Sequence, residues 1–234
     1  PPTATNLAGD SATFIEDGAA VRLDAGGNAT IADANNVNFA GGTLTVAITS
    51  GLVSAQDVLG IATTAAITFT GSTVSYNGTQ IATYTGGGAG GTNLVFMFNA
   101  SSSAAALTEL VRALTYANSN TVSPTTAART VTLTLVDGRG TNEGAGADTL
   151  TLNTTVNIDR RNDAPVVPNS PAINAIEQTP IAVNASLAIS DPDLDTLNGG
   201  AGDYAGSTFT INRSGGASTQ DLFTINSSGA SFTV

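Results

Sequence analysis

Carboxylates carry most of the chemistry that this sequence could do. The chain of 234 residues has 18 aspartates and glutamates against 7 basic residues, all of them arginine, and neither histidine nor cysteine. The most suggestive acids lie between residues 159 and 193: Asp159, Asn162 and Asp163 in the run Asp-Arg-Arg-Asn-Asp-Ala-Pro, then Glu177, then Asp191 and Asp193 in Asp-Pro-Asp. Short carboxylates beside glycine, asparagine or proline sit in turns. Turn oxygens of this kind suit hard divalent cations, calcium best of all, which takes roughly six to eight oxygen ligands. No single short loop here supplies that many, so the ligands would have to be gathered at a junction between two folded pieces. An ion held there would offset carboxylate repulsion and stiffen the joint. The plainer reading is that Asp and Asn are ordinary turn formers and that acidity keeps the chain soluble. Recurrence of several of the acids at matching positions favours calcium.

That recurrence is the organising feature of the chain. Ile15-Glu16 matches Ile176-Glu177, Ile31-Ala32-Asp33 matches Ile189-Ser190-Asp191, Phe39-Ala40-Gly41 matches Tyr204-Ala205-Gly206, and Gln56-Asp57 matches Gln220-Asp221. A repeat about 160 residues long predicts one complete domain over residues 1–158, a linker over 159–165, and the first half of a second, similar domain over 166–234. In that alignment Val234 corresponds to about Thr70. The second half-domain is expected to be completed by further chain or held by a neighbouring molecule, because half a sandwich leaves bare strand edges and an uncovered apolar face. The opening Pro1-Pro2, in place of methionine, is what an internal stretch of a longer protein would show.

Strand periodicity dominates. Leu44, Val46 and Ile48 alternate with threonine and alanine, Val131, Leu133 and Leu135 alternate with threonine, and 149–158 places Leu150, Leu152, Val156 and Ile158 on one face. Shorter strands are expected at 21–23, 67–70, 74–76, 81–85 and 94–98, with Asn77-Gly78 as a type I′ hairpin turn. One helix is expected over 104–117, its apolar face made by Leu107, Leu110, Val111 and Leu114 and its N-cap among Ser101, Ser102 and Ser103. It would plug an open edge or end of the fold. In the second half, strands are expected at 181–183, 187–189, 208–211 and 231–234. The fold class is therefore all-β, a sandwich with one short helix.

Composition also excludes. A net charge of −11 leaves no basic surface for nucleic acid, and no window is apolar enough to insert into a membrane. The glycine run at 86–91 lacks the Lys-Ser/Thr ending of a phosphate loop. Without histidine or cysteine, a catalytic base or nucleophile would need a carboxylate pair or an unusually partnered serine. The acids instead cluster in turns and in the linker, and aromatic residues make up only 5%. The chain is expected not to be an enzyme. Asp57 and Asp221 are read as turn caps, and the Glu143 to Leu150 stretch, though it looks like one turn of a glycine-rich calcium repeat, as a hairpin loop.

Four stretches together carry a resemblance: LTELVRALTYAN at 107–118, the strand ending in VDGRG at 131–140, the NDAP linker, and SDPDLDTLNGGAGDYAGSTFTI at 190–211. The chain resembles the cadherin-like, immunoglobulin-fold tandem repeats of large bacterial surface adhesins of the repeats-in-toxin and biofilm-associated types. The resemblance implies an immunoglobulin- or cadherin-like sandwich, an extracellular or cell-surface location, partnership with neighbouring repeats, and calcium bound between modules. In junctions of that type an early glutamate joins linker acids and an Asp-x-Asp of the next module. The matching residues are Glu16, Asp159, Asn162, Asp163, Asp191 and Asp193, while Asp137 resembles the late-strand aspartate that serves the preceding junction, with Asp33 nearby. The sequence departs from the pattern in the extra residue contributed by Arg160-Arg161, in Asp33-Ala34-Asn35, which has lost one acid, and in the absence of an Asp-Arg-Glu motif.

Three roles compete. A passive extender needs only length and stiffness. A ligand-binding adhesive module needs a recognition surface, and no aromatic cluster or basic patch marks one. A subunit of a surface layer or filament would use the incomplete second repeat to pair with other copies by strand addition.

Overall fold

Threonine alternating with leucine, valine and isoleucine builds the centre of the molecule. The computed structural model describes all residues except 35, 139–147, 171, 185–186, 217 and 226–234. Its strands are β1 (Pro2–Thr5), β2 (Ser11–Ile15), β3 (Val21–Arg22), β4 (Thr30–Asp33), β5 (Thr43–Ser50), β6 (Asp57–Ile61), β7 (Ile67–Thr70), β8 (Thr73–Tyr76), β9 (Thr79–Thr85), β10 (Leu94–Phe98), β11 (Leu114–Asn118), β12 (Arg129–Val136) and β13 (Thr149–Asp159), with one α-helix, α1 (Ala104–Ala113), between β10 and β11. The fold is an all-β sandwich with one short helix. An eight-stranded sheet in the order β2-β13-β12-β5-β10-β9-β8-β7 forms one layer, and the sheets β3-β11-β6 and β1-β4 contribute to the other.

At the heart of the large sheet, β12 pairs with β13 and β5, so that Leu133 lies beside both Leu152 and Val46. The inward residues Leu44, Val46, Val131, Leu133 and Leu135 are buried. The outward threonines stay wet and bond across strands, Thr49 to Thr132 at 2.7 Å and Thr132 to Asn153 at 2.8 Å. Threonine serves this surface because its branched side chain favours the strand while its hydroxyl faces water. The layers are joined by aromatic contacts, Phe14 of β2 standing edge-on to Tyr116 of β11 with centroids 5.9 Å apart. The hairpin at Asn77-Gly78 has both residues at positive φ, 48° and 80°, as the type I′ turn requires.

The helix is capped by Ser103, whose Oγ accepts from the Ala106 N–H at 3.2 Å. It ends at Ala113, four residues before the expected boundary, and 114–117 belongs to β11. Leu114 turns to extended backbone, φ −65° and ψ 140°, and the strand then pairs on both sides, with β3 and β6. Two flanking strands offer this segment a full set of ladder hydrogen bonds, which outweighs the helical spacing of its apolar residues. Leu107, Leu110 and Val111 are buried in the core, and the helix continues directly into β11. It is tied to β4 by the Ile31 N–H donating to Thr108 Oγ1 at 2.9 Å and to Ala29 by Arg112 Nε at 2.9 Å, so it forms part of the second layer. The short strands β1, β2, β4 and β6 were not anticipated from the sequence.

The chain forms two compact units, Pro1–Asp193 and Leu194–Val234. Beyond β13 the first unit is held by an isolated bridge between Val166 and Ser190 and by a turn at Ile176 and Thr179. The strands expected at 181–183 and 187–189 do not form. In the second unit the strand expected at 208–211 is likewise absent among the described residues, and 231–234 lies outside them. That unit is organised by turns: Asp203 N–H bonds to Leu194 O at 3.1 Å, Tyr204 Oη donates to Asp195 Oδ1 at 2.5 Å, and Arg213 pairs with Asp221 at 2.8 Å. Alternation alone does not make a strand. A strand needs a neighbour to take its N–H and C=O groups.

Candidate functional site

The parallel pair of β2 and β13 ends with Ile15 beside Asp159, and the next residue, Glu16, donates its N–H to Asp159 O at 2.9 Å. This register carries the Glu16 side chain under the start of the linker, where it is only 2% exposed. Glu16 Oε2 accepts the Arg161 N–H at 2.8 Å, while Glu16 Oε1 is buried without a partner. Two residues further, the Asp163 N–H donates to Asp193 Oδ2 at 2.6 Å, and Asp163 Oδ2 is also buried without a partner. Asp191 is buried and its Oδ1 accepts the Asp193 N–H at 3.0 Å, closing a turn over Pro192. Arg160 Nη2 reaches Asp193 Oδ1 at 2.8 Å. The Val166–Ser190 bridge, with N···O distances of 2.7 and 3.1 Å, keeps the Asp-Pro-Asp turn beside the linker.

Glu16, Asp163, Asp191 and Asp193 are thus gathered at one end of the sandwich. Asp159 sits there through its backbone, its side chain exposed, and Asn162 is exposed with its amide donating to Asp163 O at 2.7 Å. Glu177 stands in an exposed turn of its own, where its carbonyl takes Thr179 Oγ1 at 3.4 Å, outside the buried group.

A buried carboxylate oxygen without a donor is costly, by about 1–3 kcal/mol or more when charged. Two of them, on Glu16 and Asp163, create a place that a cation would relieve. Hard oxygen donors are the right type for calcium. Among the described residues no three acidic side chains converge closely enough to hold a metal by themselves. A cation here would therefore complete its shell from backbone carbonyls, the Asn162 amide or water. The donor set fits calcium in type; it is not a closed cage.

Asp33 and Asp137 belong elsewhere. Strand β13 begins at Thr149, beside Val136, and ends ten residues later at Asp159, a span of roughly 30 Å. Asp137, one residue past Val136, lies at the end opposite the linker, where its N–H bonds to Asp148 O at 2.9 Å. Asp33 closes β4, half-buried as a residue but with its side chain covered, Asn36 Nδ2 donating to its Oδ2 at 3.2 Å and the Pro1 ammonium 3.8 Å from its Oδ1. The nine acidic and amide candidates are thus divided between the linker end and positions away from it. The loop positions at Asn35, in VDGRG from 139 on, and at 143–147 fall outside the described residues.

The sequence reading missed the most deeply buried polar cluster. Asp57 does cap a turn, accepting the Val53 N–H at 2.6 Å, but its main partner is Arg129. Both are fully buried, with Arg129 Nε 3.0 and 3.1 Å from the two carboxylate oxygens. Tyr116 Oη donates to Asp57 Oδ1 at 2.5 Å, Asn118 Nδ2 donates to the same oxygen at 3.3 Å, and Arg129 Nη1 donates to the carbonyls of Thr125 and Ala127. Burial, and then the hydrogen bond to the Asp57 carboxylate, pushes the Tyr116 phenol well above its ordinary range. The recurrence of Gln-Asp at 56–57 and 220–221 was the available signal. This cluster has no open face and locks β6, β11 and β12 together. Compared with known proteins, the chain matches no family model, no curated protein and no solved structure.

Proposed function

We propose that this chain is a structural extender of a secreted or cell-surface bacterial adhesin, a cadherin-like module whose linker end is stiffened by calcium. The observation that carries this reading is the pair of buried, unpartnered carboxylate oxygens, Glu16 Oε1 and Asp163 Oδ2, where β2, β13, the linker and the Asp191–Asp193 turn meet. On this reading the chain does no catalysis: it holds successive modules in line, and its partners are neighbouring repeats. Calorimetry with and without calcium tests it. At a hundredfold excess over Kd a site-bound ligand adds about 2.7 kcal/mol, which for a chain of this size raises Tm by about 5–10 °C. The Glu16→Gln variant should lose more than half of that rise. A Tm unmoved by calcium would refute the reading.

One observation favours a second reading, a surface-layer or filament subunit assembling by strand addition. In the first unit Val166, Ile176 and Ile181, and in the second unit Phe209, Leu222 and Phe223, are large, apolar and exposed, and exposed apolar side chains are what strand addition would cover. Light scattering separates the two: calcium-dependent growth of particles favours assembly, whereas a monomer that only changes shape favours the extender.

A further inference from the structure

We infer that Arg160 is the resident cation of the linker end, and that calcium enters there only in competition with it. The inference rests on the reading of that end as a cation site and adds its regulation. Asp193 is the most heavily used acid of the group. One oxygen takes Arg160 Nη2 at 2.8 Å and the other takes the Asp163 N–H at 2.6 Å. The guanidinium is only about a third exposed and Asp193 less than a fifth, so the pair is partly withdrawn from water and weakly screened.

Glu16 is held differently. Its carboxylate, 2% exposed, receives only the neutral Arg161 N–H, and its second oxygen has no partner. The linker therefore neutralises one acid with an arginine and leaves others for an ion. Arg160 Nε is itself buried without an acceptor, so the guanidinium is engaged through Nη2 but is not locked in place by a full set of bonds. A side chain in that state can be displaced.

The consequence follows from ligand counting. Calcium affinity in oxygen sites is tuned by the number of charged ligands and by the rigidity of the site. With Arg160 on Asp193, an arriving ion meets the open oxygens of Glu16 or Asp163 while Asp193 is held by the arginine, and it also meets a positive charge. The joint is ordered without metal by the arginine and is retuned by metal when calcium is abundant. The extra linker residue supplied by Arg160-Arg161 is what makes this possible.

Isothermal titration with calcium and melting in chelator, both on the full chain, test this with Arg160→Gln and Arg161→Gln side by side. Both variants change the net charge equally, so general electrostatics moves them together. The expected result is that Arg160→Gln tightens calcium binding about tenfold or more and lowers Tm in chelator, while Arg161→Gln changes the affinity less than about twofold and leaves Tm in place. Arg160→Lys keeps the charge with a shorter reach and should fall between wild type and Arg160→Gln, which provides a readout if the glutamine variant folds poorly. Equal tightening in the Arg160 and Arg161 variants, or none in Arg160→Gln while wild type binds, overturns the competition and leaves the calcium site standing. Absence of calcium binding in every protein overturns both.

Discussion

Replacing Asp57 by asparagine isolates the charge at the centre of the buried cluster, because the side chain keeps its volume and leaves no cavity. Asn Oδ1 can still accept from Tyr116 and Asn118, but its amide now faces a donor: Arg129 Nε, 3.0 and 3.1 Å from the present oxygens, or the Val53 N–H at 2.6 Å. Arg129 is fully buried, and its guanidinium cannot shed its proton. Removing one partner of such a pair costs about 3–5 kcal/mol, a large share of the ~5–15 kcal/mol that hold a domain together. With a urea m-value of about 2 kcal/mol/M, the unfolding midpoint at pH 7 should fall by about 2 M. Arg129→Met should cost a similar amount by stranding Asp57, whereas the double variant should recover much of the loss, since apolar replacements of a whole buried pair are often near neutral. A single substitution costing under ~1 kcal/mol, or a double variant whose loss is the sum of the two, would refute the claim that the pair acts as one unit.

Two further outcomes follow from the same packing. Tyr116 holds its proton in the folded state well above the ordinary phenol value near 10, first because it is buried and then because it donates to Asp57. The contribution is complete below about pH 10 and drains as the pH rises toward the folded value, because the unfolded chain loses that proton first. Melting curves between pH 9 and 11.5 should show wild type losing stability faster than Tyr116→Phe, by up to ~1.4 kcal/mol per pH unit; parallel curves would contradict this. Ser103→Ala removes the oxygen that accepts the Ala106 N–H and should cost about 1 kcal/mol, read as a drop of about 2–4 °C in Tm.

What the sequence made legible was whatever local periodicity could encode. The strands at 67–70 and 94–98 coincide with β7 and β10, and those around 43–49, 131–135 and 149–158 are right to within a residue or two, because each alternates over a half-buried sheet. The turn at Asn77-Gly78 was readable for the same reason, since positive φ at both positions restricts the residue types. The misreading at 114–117 arose because Leu110, Val111 and Leu114 carry helical spacing into a segment whose fate is decided by β3 and β6, which lie far away in sequence. At the linker end the residue types were legible and the geometry only partly so. Asp163, Asp193 and Asp191 are joined through backbone N–H groups and Glu16 meets the linker at the Arg161 N–H, but Glu177 holds the repeat position of Glu16 without its surroundings. No sequence pattern announced that Asp57 would find Arg129, 72 residues away.

The two copies of the repeated pattern show why position in sequence does not decide structure. Ile31 donates its N–H to Thr108 of α1, Phe39 donates to Ser102 O and packs against Phe98 at 6.4 Å, and Asp57 takes Tyr116 and Arg129. Every one of these partners lies after residue 94. Their counterparts Ile189, Tyr204 and Asp221 have the same or similar side chains. Yet Asp221, nearly half-exposed, pairs with the nearby Arg213, and Ile189 and Tyr204 stand partly open to solvent. The first half of the pattern therefore encodes which atoms to satisfy, and the second half, from β10 to β13, supplies the atoms that satisfy them. Grafting residues 71–158 after Val234 would supply those atoms again. If this division of labour is right, amide exchange at 187–223 should slow at least about a hundredfold, toward the protection of a packed core. Unchanged exchange would mean that the repeat is a likeness of sequence without a shared fold.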